Sequence, residues 1–310
     1  MTDVACIGIL VADVVTRTVR ALPERGKLSL MDHIDLFTGG CAVSSAVDMA
    51  RLGLKTTVSG KIGADGFGSF LKQSLAADGI DVSHVAVDNT CGTSASVVLV
   101  DEGGERSFLH ALGANAVFTD TDVPDALLAS SRIVFVAGTM LMPAFDGEPC
   151  ARVLHRARQF GAITALDTAW DAQGRWMRVL APSLPLLDYF LPSYDEAAAL
   201  TGETDPERMA DLFLEKGVGT VVIKLGGEGC LAATGEGKWR VPGFRVPVVQ
   251  DTTGAGDAFC AGFLTGITNG LPLAEAARMG NAVGALCVAE VGASTGIHDL
   301  AQVRQLMNNT

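Results

Sequence analysis

Along the chain, short apolar runs bounded by glycine or aspartate alternate with longer stretches whose apolar positions recur every three or four residues. The runs at 4–10 (VACIGIL), 55–63 (KTTVSGKIG), 94–101 (SASVVLVD), 132–138 (RIVFVAG), 162–167 (AITALD), 189–193 (YFLPS), 220–227 (TVVIKLGG) and 229–235 (GCLAATG) read as strands. Their continuous apolar character suits an extended chain covered on both faces. Helical patterns lie between several of them, at 42–53, 67–79, 147–161 and 195–202, and three more fill 256–270, 272–292 and 297–309. Strand–helix alternation of this kind predicts an α/β fold: a largely parallel sheet with helices on both faces. Two segments break the rhythm. Residues 14–36 and 88–112 hold short alternating stretches with no helix between neighbouring strands, and they predict a small β-sheet lid inserted into one compact domain spanning 1–310.

Composition changes this picture little. With 310 residues, 48% of them hydrophobic, the chain can bury a large core. No stretch reaches the roughly 18 apolar residues that a membrane-spanning helix needs, and MTDVACIGILVADVV has no basic segment ahead of its apolar run, so a cytoplasmic protein is expected. The seven cysteines are dispersed, without a CxxC pair, and read as small buried hydrophobes rather than as a zinc or disulfide framework. A formal net charge of -12 argues against a nucleic-acid partner. It leaves room for a small phosphate ligand, which backbone N–H groups at a helix start can hold without a basic surface.

The segment DTTGAGDAFCAGF, 251–263, brings such a helix start together with an acid. Gly254 and Gly256 remove side chains where the backbone must approach a ligand, and Asp257 falls in the first helical turn. Asp257 and Asp251 could equally be an ordinary first-turn acid and a turn residue. Phosphoryl transfer to a hydroxyl, however, needs both parts: N–H donors for the spreading charge of the phosphate and a base for the acceptor proton.

This segment resembles the C-terminal signature of the ribokinase family of carbohydrate kinases, the PfkB type, written D-T-x-G-A-G-D. Residues 39–68, GGCAVSSAVDMARLGLKTTVSGKIGADGFG, resemble its N-terminal signature. The resemblance covers essentially the whole chain. It implies a ribokinase-like three-layer αβα sandwich with a lid, and an ATP- and Mg²⁺-dependent kinase that phosphorylates a hydroxyl of a ketose, an aldose or a 2-keto-3-deoxy sugar acid. By the same likeness Asp257 is the base, and the N–H groups of Gly254, Ala255 and Gly256 form an anion hole. Lys224, Gly226, Gly227 and Gly229 flank the nucleotide, with Asn281 near the adenine. Ser193 and Glu196 correspond to an N-x-x-E segment, with serine where asparagine is usual, and Glu196 helps hold Mg²⁺ through water. Asp251 and Thr253, with carbonyls around Val288 to Gly292, correspond to a monovalent-cation site that many relatives use, which implies K⁺. Asp13, Gly39, Gly40 and Ser44 line the substrate site, with Ser44 where asparagine is common. Arg106, His110, Asp167 and Arg175 are further candidates for that pocket. Relatives often dimerise through the lid, so a homodimer is implied. Two alternatives stay open: a nucleoside kinase, in which Phe37 and Phe108 could stack on a base, and a nucleotide-binding regulator without chemistry.

Overall fold

The computed structural model describes residues 1–103 and 106–309; residues 104 and 105, within the second inserted segment, and residue 310 lie outside the described residues. The strands in chain order are β1 (Thr2–Gly8), β2 (Val11–Arg17), β3 (His33–Gly39), β4 (Thr56–Ser59), β5 (Lys61–Gly63), β6 (Ala86–Asp88), β7 (Ala95–Val100), β8 (Arg106–Ala111), β9 (Ser131–Thr139), β10 (Ile163–Thr168), β11 (Tyr189–Phe190), β12 (Thr220–Lys224), β13 (Gly229–Thr234) and β14 (Gly237–Pro242). Eight of them form one sheet in the order β14-β13-β12-β11-β10-β9-β1-β4. The pairs from β4 to β12 are parallel, and β13 and β14 close that edge antiparallel.

Strand alternation explains why both faces are covered. On β1, Ala5 and Ile7 enter one core with Val134, Val136, Leu154 and Phe213, while Val4 and Cys6 enter the opposite one with Ala46, Phe135 and Phe263. The first core packs under the helices Glu148–Gln159 and Pro206–Glu215, and the second under Cys41–Arg51 and Ala255–Thr268. The helix Pro206–Glu215 starts at an Asp205 cap, a proline at its first position and a Glu207 N–H held by the cap carboxylate.

A second sheet, β3-β2-β7-β8, stands apart from the first. Its hairpins β2/β3 and β7/β8 are antiparallel and are joined by a parallel β2/β7 pair. Its strands run from Val11 to Gly39 and from Ala95 to Ala111, so the first inserted segment extends beyond the expected 14–36 at both ends. The run 55–63, expected as one strand, breaks at Gly60 into β4 and β5, and β5 leaves the main sheet to pair with β6. Of the cysteines, Cys6, Cys150, Cys230, Cys260 and Cys287 are buried, and Cys41 and Cys91 are half-buried. Among the described residues no helix is long and apolar enough to cross a membrane.

One buried group is at odds with its surroundings. Asp48, on the helix Cys41–Arg51, is fully buried, and neither carboxylate oxygen has a hydrogen-bond partner among the described residues. Burial pushes its pKa well above the usual carboxylate range; the nearby Ser294 hydroxyl and the Arg51 charge oppose this only in part, and Asp257 adds to it. The folded state therefore keeps a proton that the unfolded chain loses above about pH 4. Stability at this site is full below that pH and falls as pH rises through the folded pKa. Asp48→Ala should thus gain on the wild type with rising pH. Thermal unfolding at about pH 5 and about pH 8 checks this, the Tm difference being larger at the higher pH; a difference independent of pH would contradict it.

Candidate active site

The helix Ala255–Thr268 begins abruptly. Gly254, its N-cap, has φ 77°, and a Cβ there would meet Ala293 at 2.6 Å, so glycine is required both by conformation and by space. No side chain caps this end. The Ala255 N–H turns back to the Thr252 carbonyl at 3.2 Å, whereas among the described residues no acceptor meets the N–H groups of Gly254 and Gly256. Those two donors and the positive end of the helix dipole face a cleft of about 1150 Å³. Gly254, Ala255, Gly256, Asp257, Lys224, Gly226, Gly227, Gly229, Ser193, Glu196 and Asn281, proposed from separate parts of the sequence, all line it.

Lys224 ends β12 with its ammonium 2.7 Å from Asp167 Oδ2, near the end of β10, one strand beyond the intervening β11. The same ammonium lies 3.3 Å from where a Cβ of Gly256 would be, so the missing side chain admits a positive charge to the helix start. The Cys260 thiol donates to Asp167 Oδ2 at 3.3 Å. Burial works against the charge on Lys224, but Asp167, Cys260 and Glu196 outweigh it and raise its pKa, so it stays an ammonium. Burial pushes Asp257 up to about 6, restrained by Lys224 and by a hydrogen bond from the Cys41 thiol, with Glu196 adding to the rise. A carboxylate poised there is ionised at neutral pH and still basic enough to take a proton.

Ser193 and Glu196 form a reciprocal cap on the helix Tyr194–Thr201: the Ser193 N–H donates to Glu196 Oε2 at 2.9 Å, and the Glu196 N–H reaches Ser193 Oγ at 3.4 Å. Thr168 also donates to Glu196 Oε2, at 3.1 Å. The serine at the usual asparagine position thus acts as a helix cap, and it holds the Glu196 carboxylate in the cleft. Asn281 lines the cleft while its amide donates to the carbonyls of Val241 and Pro242 at 3.0 and 3.1 Å, tying the end of β14 to the helix Leu273–Cys287.

A second cavity of about 170 Å³ lies under the lid and is lined by Asp13, Phe37, Ser44, Arg106, Phe108 and Thr253 among others. Gly39 abuts it, since a Cβ there would collide with the Asp13 carboxylate. Burial raises the Asp13 pKa, partly offset by a hydrogen bond from Ser96 and by the charges of His110 and Arg106. Gly40 caps the helix Cys41–Arg51, and one residue beyond Ser44 the Ser45 hydroxyl donates to the Asp257 carbonyl at 3.3 Å, joining this helix to Ala255–Thr268.

The remaining lid-pocket candidates separate. His110 bonds Ser96 through Nδ1 at 3.0 Å and lines neither cavity. Arg175 is bound to Asp171, Asp146 and the Met140 carbonyl, and also lines neither. Asp167 lines the large cleft, beneath Lys224. Arg106 crosses from the lid to Asp251 and Thr253. Sequence reasoning passed over Cys41, which opens the helix directly after Gly39 and Gly40 and faces Asp257; its place beside the paired glycines was the available signal.

Comparison with known proteins agrees with this arrangement. Residues 1–300 match the family described as pfkB family carbohydrate kinase. The chain is 32% identical over 285 residues to 2-dehydro-3-deoxygluconokinase of Bacillus subtilis, covering 88% of this chain and 87% of that one. It superposes on the ribokinase structure of Thermotoga maritima with a TM-score of 0.86 and 27% identity over 100% of both chains. The fold is also that of Arabidopsis thaliana ribokinase complexed with ribose and ATP, with a TM-score of 0.86 at 24% identity over 99% of this chain and 98% of that one. With signatures, fold and cleft in agreement, the chain belongs to the pfkB family of carbohydrate kinases.

Proposed function

We propose that the protein transfers the γ-phosphoryl group of ATP to a hydroxyl of a small sugar or sugar acid, with Asp257 as the base. The observation that carries this reading is the loop between the two cavities. Thr253 lines the small cavity and Gly254 to Asp257 line the large one, so an acceptor and a donor would meet across one turn of backbone. ATP in the large cleft would direct its terminal phosphate at the Gly254 and Gly256 N–H groups and the Lys224 ammonium. Asp257 would receive the acceptor proton as the bond to phosphorus forms. Ribose and ATP bound together in the Arabidopsis ribokinase support two ligands in this fold.

The residues also fit Mg²⁺. The Glu196 carboxylate is fixed in the cleft with one oxygen on the Thr168 hydroxyl and the Ser193 N–H, and it would hold the ion through water. Mg²⁺, when bound with ATP, supplies neutralisation of charge between the phosphates.

The small cavity favours a polyol over a nucleoside, because about 170 Å³ falls below the volumes usual for larger ligands. Phe37 and Phe108 line it and are the feature a nucleoside would exploit. The intact Asp257 and its open helix start speak against a regulator without chemistry. Pairing of two copies through the lid is supported by its unpaired edges, β3 and β8, and by exposed Ile34 and Leu109.

ADP release from Mg-ATP, assayed against ketoses, aldoses, 2-keto-3-deoxy sugar acids and nucleosides, tests the reading. One of the first three classes should turn over, and Asp257→Asn should lower kcat by about 10² to 10⁴ with folding intact. Near-normal turnover in that variant would remove Asp257 from the mechanism. ATP hydrolysis without acceptor should be a small fraction of the full rate, because the lid stands over the acceptor cavity. Lys224→Met should cost about 3 to 5 kcal/mol of stability, since it leaves the buried Asp167 carboxyl without its partner and drives a proton onto it. Adding Asp167→Asn should recover much of that loss in urea unfolding without restoring turnover; recovery of both would make Lys224 a structural residue only.

A further inference from the structure

The resemblance described above implies a monovalent cation at Asp251, Thr253 and the carbonyls from Val288 to Gly292. The groups themselves do not fit one. Arg106, on lid strand β8, extends its guanidinium to the loop that carries the anion hole: Nη2 lies 2.6 Å from Asp251 Oδ2, and Nη1 donates to Thr253 Oγ1 at 2.7 Å. The carboxylate takes two further donors, the Gly292 N–H on Oδ2 at 2.8 Å and the Thr253 N–H on Oδ1 at 3.0 Å. Some of the loop carbonyls are engaged as well. Val288 O accepts from the Gln250 N–H at 2.8 Å, and the single proton of the Cys287 thiol can go to the carbonyl of Ala293 at 3.1 Å or of Thr253 at 3.5 Å. An ion that replaces its hydration shell with carbonyl and carboxylate oxygens needs those oxygens free. It would also sit against a guanidinium of like charge on a carboxylate that is only 6% exposed.

We propose that Arg106 is the cation of this loop: a guanidinium tethered to the lid does the work of a monovalent ion, and the enzyme is indifferent to K⁺. The chemistry suits the role. A guanidinium stays charged at every working pH, and its planar fork can meet the Asp251 carboxylate and the Thr253 hydroxyl together. The Asp251 pKa agrees: burial would raise it, but the Thr253 and Gly292 N–H groups, with Arg106 adding its charge, bring it below the usual value. The position of Arg106 has a consequence that a free ion would not have. Asp251 is only a few residues before Gly254 and Asp257, and Arg106 also lines the acceptor cavity. Its charge reaches the catalytic loop when the lid is down on that cavity, so closure over the acceptor and ordering of the anion hole are one event.

The inference rests on the reading of 251–257 as the phosphoryl-transfer loop, and its test separates the two. Wild type and Arg106→Met are compared in KCl, NaCl and tetramethylammonium chloride at equal ionic strength, by ADP release with the best acceptor and by thermal unfolding. The wild-type rate should change by less than about twofold among the salts, and Arg106→Met should lose about tenfold in tetramethylammonium, a coupling of ordinary size. Wild-type Tm should be the same in K⁺ and tetramethylammonium, whereas Arg106→Met, with Asp251 uncovered, should gain Tm in K⁺ through binding to the folded state. Activation of the wild type by K⁺ of tenfold or more, a K⁺-dependent Tm rise in the wild type, or full activity of Arg106→Met in tetramethylammonium would each overturn the proposal. The Tm comparison reads the cation site even where no acceptor turns over, so a failure of the kinase reading leaves it decidable.

Discussion

The site depends on one ion pair, Lys224 to Asp167 at 2.7 Å, set at the ends of two strands in the middle of a parallel sheet. Asp167, Glu196 and Asp257 line the same cleft as this ammonium, and the other charged residues of its lining, Asp195, Glu228, Arg240 and Arg245, are exposed. Without Lys224, burial would drive protons onto Asp167 and Asp257, and a neutral Asp257 could not act as a base. With it, the helix start at Gly254 presents two N–H donors beside a fixed positive charge, and an incoming polyphosphate supplies the missing balance. The negative charge of the protein as a whole is thus no obstacle to nucleotide binding, because the relevant charge is local.

The rest of the fold holds these groups in place. The helices Cys41–Arg51 and Ala255–Thr268 pack on the same face of the sheet, and the hydroxyl of Ser45 joins them at the Asp257 carbonyl. Residues of the large cleft and of the small cavity are therefore held by one helix pair, while the lid contributes Asp13, Phe37 and Phe108 to the small cavity. Even the departure at Ser193 keeps the geometry, since serine caps the helix that carries Glu196.

Much of this was legible in the sequence, and the exceptions have physical causes. Apolar runs located the central strands because burial on both faces demands them, and the glycine cluster located the abrupt helix start because only glycine fits φ 77° against Ala293. Gly60 hid a strand break, since one glycine within an apolar run does not reveal that the chain changes sheets. Asn281 lines the large cleft, but its amide bonds to the end of β14 could not be read from its own segment. His110 and Arg175 looked available as polar residues near the pocket, yet each is held by partners distant in the chain or around its own loop. The span from Arg106 to Asp251, 145 residues apart, could not be read from either segment alone.

The central claim is that Asp257, raised by burial and restrained by Lys224, is the proton acceptor. The pH dependence of kcat/KM tests it most directly. The account predicts an acidic limb with an apparent pKa of about 6, activity rising with pH as Asp257 loses its proton and levelling above neutrality. Activity that stays flat down to about pH 4.5, near the ordinary carboxylate value, would contradict it, because the base would then lie outside this buried cluster.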